Sequence, residues 1–238
     1  MQDKPLLSSD YRIRKLIGTL GLLLPIVLPI IKGEFLASVS HYYYDRLTSQ
    51  ILIIILATFG LFLISYRGYV LDKSSEKISD DVLTNIGGFA ALLIVFIPTS
   101  CTNSASTTID FLCSNANQIP LPLFGHQSTT LNGIHFIAAG VFILCMGWMS
   151  RFKFTRDEHD PNNIIYKWCG NMVFISVGLI IIFVVLEKFT NIPIPLKNHY
   201  VYVFETTAII PFGISWLLKG EAFEDIKTIT KRVVKRET

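Results

Sequence analysis

The chain has 238 residues, 51% of them hydrophobic and only 16% charged, with a mean hydropathy of +0.49. Soluble domains carry charge on about a quarter of their residues, so an ordinary water-soluble domain is excluded. The formal net charge of +3 calls for no nucleic-acid partner, because attraction of one basic flank to anionic headgroups accounts for it.

Apolar residues fall into six blocks with few or no charges, at 16–31, 47–66, 82–98, 131–149, 168–186 and 200–218. At 1.5 Å rise per residue each is long enough to cross roughly 25–30 Å of hydrocarbon. This predicts an all-α, polytopic membrane protein, a single domain over residues 1–238 built as a bundle of six transmembrane helices. The first block is the shortest, and Lys15 and Lys32 extend it by snorkelling. Basic Arg12 to Lys15, the apolar stretch and Ala37-Ser38-Val39-Ser40 also fit a secretory signal with its small-residue exit. Pro25 and Pro29 inside the block, Lys32 and Glu34 after it, and the alternation of the whole set favour an uncleaved span.

The next loop holds Ser38, Ser40, His41, the run Tyr42-Tyr43-Tyr44, Asp45 and Arg46. The three rings read as part of an interfacial aromatic belt, together with Trp168, Tyr200 and Tyr202. Span two ends in Ser65-Tyr66-Arg67-Gly68-Tyr69 and span six in Ser215-Trp216-Leu217-Leu218-Lys219-Gly220, two sets of headgroup anchors. The one long loop, 99–130, contains no Lys or Arg and a single acid, Asp110, and is readily translocated. Its Cys101 and Cys113 are spaced to close a small disulfide loop in an oxidising compartment. Cys145 and Cys169 read as packing residues. The tail, 219–238, is basic; Phe223, Ile226, Ile229 and Val233 recur at helical spacing and suit a helix lying on the inner headgroups, with a solvated charged tail as the alternative.

Basic loops stay in the cytoplasm. Of the 21 Lys and Arg, only Lys32, Arg46, Lys188 and Lys197 lie on the side of the long loop, so both termini are expected in the cytoplasm. The exterior loops carry no Asn-x-Ser/Thr acceptor, which points to a bacterial or otherwise unglycosylated protein.

Ionisable groups within spans are costly in hydrocarbon and are functional candidates by default. His135 in span four and Glu205 in span six lie at similar depths, roughly 6–8 Å below the outer surface. Topology brings His41 and Asp45 to the same side, with Glu187 at the outer end of span five. The expected site is an outward-facing polar pocket lined by His41, Asp45, His135 and Glu205, binding a lipid or small ligand. No equivalent set is expected on the inner side, where Asn85 and Asn171 are the main buried polar groups. A rival reading makes His41, His135 and Glu205 the ligands of a divalent metal such as zinc in an intramembrane hydrolase of lipid-like substrates, with Glu205 or Asp45 as base. No His-x-x-x-His or Cys-x-x-Cys spacing supports it. An outward His–Glu pair also suits a proton-coupled carrier, although repeated halves are lacking and only span one, with its prolines, looks breakable. A structural partner subunit is the fourth reading. A Ser-His-Asp set can be assembled from Ser40, His135 and Asp45, without a Gly-x-Ser-x-Gly elbow.

Several stretches carry a resemblance: Ser40-His41-Tyr42-Tyr43-Tyr44, Tyr66-Arg67-Gly68-Tyr69, Phe96-Ile97-Pro98-Thr99, Ile134-His135-Phe136-Ile137-Ala138-Ala139, Ile165-Tyr166-Lys167-Trp168-Cys169-Gly170, and Phe204-Glu205 through Gly220. In these the chain resembles a group of bacterial six-span membrane proteins of unknown function. In span count and loop plan it is also similar to the six-span Frag/DRAM/Sfk group, associated with lipid handling. The first resemblance implies six helices and a bacterial inner-membrane location, and supplies no activity.

Overall fold

The computed structural model describes residues 8–69, 77–190 and 196–222. Every regular element among them is helical: α1 (Ser8–Lys32), α2 (Thr48–Ser65), α3 (Asp80–Phe96), α4 (Thr107–Ser114), α5 (Thr129–Trp148), α6 (Asn163–Phe189) and α7 (Tyr200–Lys219). A 3-10 turn, Val39–Tyr44, precedes α2, and a π-helical turn, Met149–Lys153, extends α5. Five helices are long and apolar enough to cross a membrane: Tyr11–Lys32, Thr48–Ser65, Thr129–Lys153, Asn163–Phe189 and Tyr200–Lys219. The third predicted span is α3, which has 17 residues and packs along α2 and α5. The basic tail from residue 223 onward, with its predicted surface helix, lies outside the described residues.

The outside of the bundle is apolar. Ile54, Phe89, Ile137, Ile181 and Phe189 are all more than half exposed, and only 28% of the most apolar window of α6 is buried. Water would penalise such a surface, whereas hydrocarbon does not, so the protein is membrane-embedded and contacts lipid.

Close helix approach rests on two glycine pairs. A Cβ on Gly60 of α2 would lie 3.0 Å from the Gly88 carbonyl of α3, and one on Gly88 only 2.7 Å from that of Gly60. Gly18 of α1 and Gly213 of α7 are matched in the same way, at 2.8 and 2.9 Å. Without a hydrophobic force between helices in lipid, small residues that bring backbones together hold them through dispersion.

Helix α1 runs through Pro25 and Pro29 without breaking. Pro29 has no N–H, so the carbonyl of Pro25 loses its helical donor. The hydroxyl of Tyr202 replaces it, donating at 2.5 Å. The helix also begins before residue 16, which takes Arg14 into its body at 1% exposure.

Arg14 belongs to a polar cluster at the end of the bundle holding Lys15 and Lys219, and this corrects the expectation that nothing equivalent to the outer set lies there. Its guanidinium donates to the Tyr66 hydroxyl at 2.5 and 3.0 Å and to the Lys219 carbonyl at 3.1 Å. Asp80, 1% exposed, takes Arg156 at 3.0 Å, Lys153 at 3.7 Å and the Tyr69 N–H at 3.1 Å. Gly68, at φ +64°, leaves Asp80 room, since a Cβ there would sit 2.5 Å from the Asp80 Cβ. Lys219 pairs with Asp160 at 2.9 Å. Tyr66 and Trp216 are wholly buried, so these two of the expected interfacial anchors are core residues instead, whereas Arg67 is exposed. The π turn aligns this end: Phe154 N–H reaches back five residues to the Met149 carbonyl, and Ser150 meets Ser215 at 2.6 Å.

Candidate functional site

The 3-10 turn organises the opposite end. Its first N–H groups have no partner within the turn, and the Glu205 carboxylate of α7 accepts that of Val39 at 2.6 Å. Just before the turn, Ala37 N–H donates to the Ser104 carbonyl at 2.8 Å and the Ala37 carbonyl accepts from Tyr202 N–H at 3.0 Å. Three consecutive tyrosines then point inward, at 0%, 3% and 3% exposure. Tyr42 donates to the Glu34 carbonyl at 2.7 Å, Tyr43 to the Leu123 carbonyl, and Tyr44 to the Thr99 carbonyl at 2.5 Å. They are pegs, not an aromatic belt: Tyr42 holds the turn to the segment after α1, and Tyr43 and Tyr44 hold it to the long loop; of the rings grouped with them, Trp168 alone stays largely exposed, at 66%, while Tyr200 and Tyr202 are buried.

The long loop is built, not slack. Cys101 and Cys113 sit at disulfide distance, 1.97 Å between sulfurs, and tie the loop to α4. Gln127 donates to the Cys113 carbonyl at 2.6 Å. Cys145 and Cys169 are free and buried.

Each histidine of the expected site is held at both ring nitrogens. His41 Nε2 lies 3.0 Å from the Thr102 carbonyl, which can only accept, so Nε2 carries the hydrogen. Nδ1 of the neutral ring then accepts from Ser38 Oγ at 2.7 Å. Burial pushes the His41 pKa down, and the Thr102 carbonyl and Asp110 only partly oppose it. His135, 2% exposed, repeats the pattern with Nδ1 on the Ile97 carbonyl at 2.8 Å and Nε2 accepting from Ser40 Oγ at 3.0 Å.

A cavity of about 520 Å³ opens beside the turn. Its wall includes Ser38, His41, Thr102, Asp110, Asn132, Phe136, Glu187, Lys197 and Tyr200. Of the four residues expected to line one pocket, His41 is on the wall of this cavity and Asp45, His135 and Glu205 are not. Glu205 anchors the turn through Val39, and His135 supports it through Ser40 beside a void of about 10 Å³ lined by Leu52, Leu56, Ile94 and Val95. Asp45 is turned to Lys32, at 3.1 Å, and to Thr48 N–H and Oγ at 3.2 and 3.0 Å. Burial alone would raise the Asp45 pKa; the bonds from Thr48 and Lys32 outweigh it and hold the carboxyl below its usual range.

The charged groups that do reach the cavity are Asp110, Glu187 and Lys197. Asp110 is fixed by Ser104 N–H at 2.9 Å and Ser104 Oγ at 2.8 Å, and Glu187 accepts from the Tyr200 hydroxyl at 2.8 Å. All three carried a signal in the sequence: Asp110 is the sole acid of a long neutral loop, Glu187 ends span five on the outer side, and Lys197 is one of the few exterior cations. Among the described residues no three His, Cys, Asp or Glu gather as a metal site would.

Fold and cavity together define a class, an all-helical multi-pass membrane protein with a polar cavity at the end of its bundle opposite the Lys219 cluster. No protein-family model, curated protein or solved structure matches the chain.

Proposed function

We propose that this is a six-span protein of the bacterial inner membrane, with both termini cytoplasmic, that binds a lipid or small ligand in the outward-facing cavity beside the 3-10 turn. One observation carries the reading: a pre-formed cavity of about 520 Å³ whose lining includes two acids and a lysine, the size of an ordinary ligand site. Six spans are supported by α3, whose 17 residues rise about 25 Å, and by the alternation that collects Arg14, Asp80, Lys153 and Lys219 at one end. The distribution of Lys and Arg supports the orientation. The resemblance to bacterial six-span proteins supports the location.

Asp110, Glu187 and Lys197 in one lining suit a head carrying both charges, and phosphatidylethanolamine is the probe of choice. Native mass spectrometry of the detergent-purified protein is expected to retain one such lipid per chain. Lys197→Glu is expected to weaken retention about tenfold, the scale of one charge-assisted bond. Equal retention by the variant would place the lipid elsewhere on the bundle.

The metal-dependent hydrolase draws less support, because both nitrogens of His41 and of His135 already face protein partners. The carrier reading expects a span broken at the midplane, and α1 is continuous through both prolines.

A further inference from the structure

Ser38, His41 and the Thr102 carbonyl form a relay that nothing in the binding role requires. We propose that the cavity is also a catalytic site, in which Ser38 is the nucleophile and His41 its general base in cleavage of a carboxylic ester of a lipid. The inference rests on the cavity being a ligand site, as argued above.

The geometry is that of an activated hydroxyl. Ser38 Oγ is 2.7 Å from His41 Nδ1, within reach for proton transfer, and the Thr102 carbonyl at 3.0 Å fixes the ring in the tautomer whose Nδ1 is a free base. Nucleophile, base and orienting carbonyl residue all line the same cavity. The Ser38 side chain caps no backbone N–H of the 3-10 turn that follows it, so its hydroxyl is not spent on holding the turn. Asn132, also on the wall, has its amide oriented by two donors to Oδ1, Thr99 Oγ at 3.1 Å and Ser100 N–H at 2.9 Å, which leaves Nδ2 as a donor for a carbonyl oxygen that becomes negative. Phe136, on the wall and 47% exposed, offers apolar contact to an acyl chain arriving from the bilayer, while Lys197 and Asp110 meet the polar head.

Ser38 Oγ adds to the ester carbonyl carbon as its proton passes to His41 Nδ1, leaving an imidazolium whose Nε2–H stays on the Thr102 carbonyl. The tetrahedral adduct expels the alcohol, which takes the Nδ1 proton, and Ser38 is left acylated. Water then adds to the acyl carbon, giving a proton to Nδ1; collapse releases the carboxylic acid and returns that proton to Ser38 Oγ. The sum is ester plus water to acid plus alcohol.

The molecule contains its own control. Ser40 and His135 have the same pairing on the Ile97 carbonyl, but they face the void of about 10 Å³, which admits no substrate. Only the pair with space beside it is assigned the chemistry.

The test is a fluorophosphonate probe on the full-length protein in mild detergent, with the adduct located by peptide mapping. The expected result is a single adduct on Ser38, formed at least about 100-fold more slowly in His41→Ala and at an unchanged rate in Ser40→Ala. Ser38→Ala removes one oxygen and is expected to abolish both labelling and hydrolysis of a p-nitrophenyl fatty-acyl ester while keeping the melting profile. No adduct on Ser38 in the unsubstituted protein overturns the proposal, and that result needs no variant to fold. An adduct undiminished in a folded His41→Ala overturns the role of the base. Phosphatidylethanolamine retained without Ser38 reactivity refutes the chemistry alone; Ser38 reactivity without lipid retention refutes the binding reading alone.

Discussion

Asp80 shows how much a single carboxylate can hold. It is 1% exposed and faces both Lys153 and Arg156. Cutting one partner from a buried ionic cluster leaves charge uncompensated and costs about 3–5 kcal/mol. Asp80→Ala is therefore expected to lower the melting temperature sharply in detergent, whereas substitution at exposed Asp157 changes little. A melt unaltered by Asp80→Ala would show that the cluster does not stabilise the bundle. His41 gives a pH dependence. Its folded pKa lies below the unfolded value of about 6.5, so the unfolded chain binds the proton more readily. The stability His41 contributes is full above about pH 6.5 and declines as the pH falls below that, toward the folded pKa. Thermal unfolding followed from pH 7.5 to 5 is expected to show this loss, and His41→Gln to flatten that part of the profile.

The elements differ in how far the sequence revealed them. Hydropathy located the long helices because a span needs a sustained apolar run, and the Cys101–Cys113 pair was legible from spacing within a loop otherwise free of constraint. Hydropathy averages over all faces of a helix, so it left Arg14 in a basic flank and gave no reason to single out Asp80, whereas both are buried against other elements. The tyrosine run read as a belt because interfacial and buried tyrosines have the same composition; what separates them is the carbonyl each hydroxyl meets, set by chain segments up to 82 residues away. The cavity was legible only in part for the same reason. His41 was found, while Asp110 belongs to the long loop, whose course depends on Tyr43, Tyr44 and the disulfide, and Lys197 to the connection between α6 and α7. Helix contacts make their own prediction. Gly88→Val would force a Cβ to 2.7 Å from the Gly60 carbonyl, and overpacking of this kind costs about 1–3 kcal/mol. Gly140, with nothing within 4 Å of its Cβ position, should accept Ala with no loss. Comparable melting of the two variants would show that α2 and α3 do not depend on close contact.

At the scale of the whole molecule the two ends have different work. The Lys219 end is a closed set of charges and rings with Arg14, Asp80 and Trp216 buried among them, while the opposite end holds a cavity under a disulfide-tied loop. Orientation is testable with single cysteines placed in a background lacking the native ones. Leu123→Cys, at a site 77% exposed, is expected to react with a membrane-impermeant maleimide in intact cells, and Glu158→Cys only after permeabilisation. The opposite pattern would invert the topology. The central claim is that the cavity itself holds the ligand, and filling it tests that without touching a charge. Val201, on the wall at the start of α7, can be changed to Trp. Native mass spectrometry of protein purified with phosphatidylethanolamine is predicted to show the bound lipid on the unsubstituted chain and its loss from an equally folded Val201→Trp. Undiminished lipid on the filled variant would contradict the account.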